Sequence, residues 1–229
     1  MPSSDKKTLL SPSKITAWLD CEHYLTLKNN PERRRNRQQK KETSDSKKSE
    51  TQSAMLQRKL RSAKLKVKLF SFPDYTTPIG KEIDRYLHGK RKYPGQVIHC
   101  LLAANRWERA NDVISAHEKN SVVIMNRYRE SNLVYGLANG LKLDWLEKLD
   151  EGLPKSDLVI VLDVPQKESF ARKKQNRDKF EKNKEFSNKI SQGYRKLAKK
   201  KGWKIVNASQ SKNDVHNDVM KIVAKKMGL

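Results

Sequence analysis

Cysteine is scarce in this 229-residue chain: Cys21 and Cys100 are the only two, far apart in sequence. No CxxC or Cys/His spacing suggests a zinc site, and no disulfide framework can be built from them. No apolar run reaches the length of a membrane span, and the first residues lack the apolar core of a signal peptide. These absences point to a soluble, cytoplasmic-type protein without a membrane partner. Acidic residues are also few. There are 26 Asp/Glu against 50 Lys/Arg, a formal charge of +24. The excess is spread along the chain, +9 over residues 1–64 and +15 over residues 65–229. Such a surface attracts phosphates of any kind, whether nucleotides, nucleic acid or anionic lipid, and the alternative is a plain solvated lysine-rich exterior. Hydrophobic content is 35% and charged content 33%, polar for a globular chain but compatible with a core.

Residues 31–50 (PERRRNRQQKKETSDSKKSE) contain no aliphatic or aromatic side chain. They cannot bury surface, and the expectation is a basic, disordered linker; nucleic-acid binding by its Arg/Lys cluster is the alternative. Before it, residues 1–30 read as an N-terminal extension, with Ser13 capping a short helix that carries Ile15, Trp18, Leu19, Tyr24 and Leu25. After it the pattern changes. Helices are expected over 51–64, 79–87, 94–118, twice within 129–150, over 167–201 and over 212–227. Strands are expected over 65–71, 121–126, 157–164 and 203–207. Alternation of strands and helices argues a parallel α/β sheet, and runs such as VVIM and LVIVL suit strands covered on both faces. Ligands of such sheets sit beyond the carboxyl ends of the strands, which directs attention to residues 72–77, 126–131 and 163 onward.

Five blocks in those places carry a resemblance: FPDYTTPIG (72–80), IHCLLAANRWE (98–108), NRYRES (126–131), LPKSDLVIVLDV (153–164) and VNASQSKNDVHNDV (206–219). Their order and spacing resemble thymidylate kinases, P-loop nucleoside monophosphate kinases, over residues 51–229. The resemblance implies a three-layer α/β fold and transfer of a phosphoryl group from ATP to dTMP giving dTDP, with Mg²⁺. It also implies dTMP and ATP as ligands and a homodimer. Such a reaction needs cations that neutralise and align two polyanions, and arginine grips phosphate oxygens bidentately. By resemblance Arg127 binds the acceptor phosphate, Arg106 helps hold thymine, and Phe72, Tyr75 and Tyr135 complete the acceptor side. Arg172 and Arg177 belong to a lid at about 168–186 that covers the donor phosphates. Asn207 and Ser209 lie beside the donor adenine. The bland alternatives are a helix-surface ion pair of Arg106 with Glu108 or Asp112, a core role for Tyr135, and a solvated basic helix at the lid.

The resemblance breaks at the phosphate-gripping loop. A P-loop needs an apolar strand followed by GxxxxGK[ST], because glycine lets backbone N–H groups wrap the phosphates. At that position residues 45–52 read DSKKSETQ, with Lys47, Lys48, Ser49 and Thr51 but no glycine, and residues 31–44 supply no strand. The central first strand is therefore missing or replaced; residues 14–19 (KITAWL) are the one substitute in view. Asn126 stands where the family has a carboxylate associated with magnesium, Leu102 where it has an aromatic. Residues 10–29 weakly resemble the opening of RecB-like nucleases, but the Glu-x-Lys of a nuclease core occurs nowhere in the chain. Three functions follow: a thymidylate kinase, a relative that binds dTMP or a partner without transfer, and a basic nucleic-acid-binding protein.

Overall fold

The structure, a computed structural model, describes residues 15–20 at the level of backbone, and residues 50–120, 122–165, 168 and 184–228. Its centre is a five-stranded parallel sheet: β1 (Ile15–Asp20), β2 (Val67–Ser71), β3 (Val122–Asn126), β4 (Leu158–Asp163) and β5 (Lys204–Asn207). The order across the sheet is β2-β3-β1-β4-β5. Among the described residues eight helices accompany it: α1 (Gln52–Ser62), α2 (Pro78–Leu87), α3 (Gly95–Trp107), α4 (Ala110–Lys119), α5 (Arg129–Ala138), α6 (Leu143–Leu149), α7 (Lys184–Lys201) and α8 (Lys212–Met227).

The first correction concerns β1. Within the helix expected from Ser13, residues 15–20 form a strand, and this piece of a segment that looked foreign to the sheet is its central member; the rest of the expected helix lies outside the described residues. Trp18 pairs with Met125 on one side and Val159 on the other, and Ala17 with Ile124 and Leu158. The physical reason is global. β3 and β4 each carry a row of unpaired peptide groups that must be satisfied. The run ITAWLD has the β-branched and aromatic residues of a strand and no breaker.

Both faces of the sheet are covered, as the continuous apolar strands require. Val123, Met125, Val159 and Val161 pack with residues of α4, α5 and α7. Val122, Ile124, Leu158 and Ile160 face the other way, against Leu56 and Leu60 of α1 and Val215, Val219 and Val223 of α8. The period-two alternation of β3 and β4 is thus divided between two cores.

The second correction is that residues 94–118 form two helices. Arg109 leaves helical geometry (φ −107°, ψ 8°), and the Glu108 carboxylate is drawn out of the helix surface by Thr77 Oγ1 at 2.6 Å and Asn105 Nδ2 at 3.0 Å. The anchored Glu108 belongs to the loop after β2, and α4 restarts beyond it.

Candidate acceptor site

The loop after β2 is built by its own side chains. Asp74 Oδ1 accepts from Thr76 N at 3.0 Å and from Thr76 Oγ1 at 2.6 Å. Thr77 caps α2, accepting from Gly80 N at 3.0 Å, with Pro78 opening the helix. Gly80 is required by close approach: a Cβ there would stand 1.8 Å from the Asp74 carbonyl oxygen. Fully buried Asn105 ties this loop to α3. Its Oδ1 accepts from Asp74 N at 2.7 Å and its Nδ2 donates to Thr77 Oγ1 at 2.8 Å. The FPDYTTPIG and ANRWE blocks are therefore one structural unit, and it sets Phe72 at the mouth of a cleft.

That cleft, open to solvent, is lined by Phe72, Leu102, Arg106, Arg127, Asn132 and Tyr135, among others. Phe72 is 5% exposed, its ring tilted against Tyr128 with centroids 5.6 Å apart. Arg127 follows β3 with φ +53°, a left-handed backbone that L side chains adopt at a cost. Its Nη1 donates to the Tyr135 hydroxyl at 3.3 Å, and the guanidinium carbon lies 5.8 Å from that ring's centroid. A strained backbone holding a cation over an aromatic at the end of a sheet strand suits an anion receptor.

Arg106 enters from α3 and is only 2% exposed. Nε donates to Asp150 Oδ1 at 2.7 Å and Nη2 to Asp150 Oδ2 at 2.8 Å, a bidentate pair in which Asp150 is 1% exposed. Neither Glu108 nor Asp112 is the partner. Asp150 engages one edge of the guanidinium, Nε and Nη2, so Nη1 takes no part in that pair, and Arg106 lines the cleft. Around this pair burial raises the Glu130 carboxyl and pushes the Tyr128 phenol up.

Phe72, Arg106, Arg127 and Tyr135 therefore converge in one cleft. Tyr75 does not line it and packs against the cluster of Ile83, Tyr86, Leu87 and Ile98 between α2 and α3. Three residues that sequence reasoning missed belong to the site. Asp150 aims Arg106. Asn132 lines the cleft. His99, fully buried, bonds Asn132 Oδ1 at 2.6 Å. The available signal was a lone polar residue inside an apolar stretch, His99 in VIHCLLAA.

At the start of α1 and after β5 the geometry is sparser. Thr51 caps α1, accepting from Ala54 N at 2.9 Å, and Glu50 pairs with Arg58 on the surface at 2.8 Å. Asn207 Oδ1 accepts from Ser209 N at 3.0 Å, which shapes the turn after β5. Lys47, Lys48, Ser49, Arg172 and Arg177 lie outside the described residues. Asp163, at the end of β4, is engaged by Arg195 at 2.9 and 3.1 Å. Among the described residues no group of His, Cys, Asp or Glu is placed to hold a metal ion, and no helix is long and apolar enough to cross a membrane.

A family model described as thymidylate kinase matches residues 47–219. The thymidylate kinase of Schizosaccharomyces pombe is 36% identical over 179 residues, covering 76% of this chain and 85% of that protein. The Homo sapiens thymidylate kinase is 31% identical over 172 residues, covering 74% and 81%. Among solved structures, a thymidylate kinase from Candida albicans superposes with a TM-score of 0.66 at 28% identity, over 77% of this chain and 88% of its own. The matched segment begins after β1, so the central strand lies outside it.

Proposed function

Because the chain belongs to the thymidylate kinase family, we propose that it takes dTMP in the cleft between α3 and α5 and serves phosphoryl transfer from ATP to dTMP, giving dTDP. The observation that supports this is the meeting of Arg106, Arg127, Phe72 and Tyr135 in one cleft beyond β2 and β3. Arg127 is the grip for the acceptor phosphate, a permanent cation in a fixed backbone. Arg106 offers Nη1 to the base while Asp150 keeps it from swinging. Phe72 and Tyr135 supply the apolar walls against which a pyrimidine and its sugar are held and water excluded.

The donor side supports less. The family's reaction implies magnesium, but the described residues do not fit it: β3 ends in the amide of Asn126, and Asp163 is occupied by Arg195. Glycine first appears in the chain at Gly80, so nothing before α1 can form the glycine-lined phosphate loop. That observation favours a second reading, a family member that binds dTMP without transferring phosphate to it.

Calorimetry and a coupled ADP-release assay on the full chain separate the two. Turnover with dTMP that disappears in Arg127→Ala supports transfer. Binding of dTMP with no ATP binding and no turnover supports the second reading. Absence of dTMP binding refutes both.

A further inference from the structure

The acceptor cleft ends in a hydrogen-bonded chain with a direction. On α3, His99 is fully buried and uses both ring nitrogens. Nε2 lies 2.9 Å from Asn139 Nδ2, and Nδ1 lies 2.6 Å from Asn132 Oδ1. An amide NH₂ only donates, so Nε2 is the acceptor and the ring proton sits on Nδ1. Burial holds the imidazole below its usual range and keeps it neutral. Nδ1–H then donates to Asn132 Oδ1, which consumes the acceptor of that amide.

What Asn132 retains is its Nδ2. One hydrogen points at the His99 carbonyl, a long contact of 3.5 Å. The other has no acceptor among the described residues, and Asn132 itself lines the cleft while only 2% exposed. With the opposite tautomer every member would turn round. Nε2–H would donate to Asn139, Nδ1 would accept from Asn132 Nδ2, and Asn132 would show the cleft an oxygen instead of an N–H. The ring proton of a residue outside the cleft therefore decides whether the cleft donates or accepts at this point.

We propose that His99 is a positioning residue for the acceptor base: by keeping its proton on Nδ1, it fixes Asn132 to present an amide N–H to a ring carbonyl of a dioxopyrimidine. The inference rests on the dTMP reading above. Thymine offers two carbonyl acceptors on either side of a ring N–H, and Arg106 and Asn132, each with an N–H that has no acceptor among the described residues, both line the cleft. An amide turned the other way would lose the carbonyl and could accept only from the ring N–H that lies between the two carbonyls, so the tautomer of His99 selects which atom of the base edge Asn132 reads.

Imidazole nitrogen chemical shifts of the full chain test the tautomer directly. A protonated Nδ1 and a bare Nε2 on His99 are expected at neutral pH; the reverse overturns the proposal. Titration with dTMP tests the consequence. Asn132→Leu and His99→Phe should each raise the Kd about tenfold, the loss of one well-made hydrogen bond. The double variant should be no weaker than Asn132→Leu alone, because His99 acts through Asn132. His99→Asn, whose Nδ2 falls where the imidazole Nδ1 was, should bind within about threefold of the unaltered chain. If turnover is present, KM should rise with kcat unchanged. Additive losses, or tenfold weakening in a folded His99→Asn, overturn the role of His99 while leaving the dTMP reading intact. An unaltered chain that does not bind dTMP refutes that reading and this inference together. Should His99→Phe not fold, the nitrogen shifts and the His99→Asn and Asn132→Leu variants decide the matter.

Discussion

Replacing Asp150 by alanine should separate what holds the acceptor site together from what it binds. The Arg106–Asp150 pair is 2% and 1% exposed and makes two charge-assisted hydrogen bonds of 2.7 and 2.8 Å. Solvent therefore does not screen it. Removing one partner strands the other charge in the interior, which costs ~3–5 kcal/mol, far more than loss of a surface pair. For a domain of this size, a slope of ~2–3 kcal/mol per M urea turns that into a midpoint lowered by ~1–2 M. The same loss lowers Tm by ~6–20 °C. Urea unfolding followed by circular dichroism reads it, with the slope unchanged if the native state stays compact. The complementary variant is Arg106→Leu with Asp150→Leu. Two apolar residues of moderate size replace both charges, so most of the stability should return. Binding of dTMP should not return, because the Nη1 donor is gone. A drop of less than ~1 kcal/mol in Asp150→Ala would refute the argument, since it would mean that Arg106 finds another acceptor or water at no cost.

Arg127→Gly should relieve the φ +53° backbone and gain up to ~1 kcal/mol while abolishing dTMP binding, seen as a raised Tm with no heat of titration. Asn105→Ala removes the side chain that holds Asp74 N, Thr77 Oγ1 and Glu108 together; a loss of ~2–3 kcal/mol in urea unfolding and a weakened dTMP affinity are expected. Glu130 is buried with Oε2 unpartnered among the described residues, and burial raises its carboxyl. Above the unfolded value near ~4.3 the unfolded chain sheds this proton first, so stability from this group falls as pH rises toward the folded value. Glu130→Gln should flatten that fall and raise Tm at pH 7–8, measured by scanning calorimetry across pH 5–8.

How much of this was legible in the sequence follows from the range over which each feature is decided. The strands β3 and β4 are legible because burial on both faces writes a continuous apolar run at the strand itself. Arg106, Arg127 and Tyr135 are expected together only through the resemblance of their blocks to a known family, and the fold brings all three, from α3, the end of β3 and α5, to one cleft. Asp150 and His99 are not, because their meaning lies in a partner. Asp150 stands 44 residues from Arg106, and His99 stands 33 residues from Asn132. No local period distinguishes an aspartate that orients an arginine from one that caps a helix. The strand β1 is the limiting case. Six residues, ITAWLD, satisfy a helical face and a strand about equally. What decides between them is the vacancy between β3 and β4, two strands that begin more than a hundred residues later. The loss of a glycine-bearing loop is legible from composition alone, whereas the filling of the sheet's centre is a property of the assembled sheet. The architecture thus survives at a position where the family's motif does not, and this is why dTMP binding and phosphoryl transfer call for separate measurements in this chain.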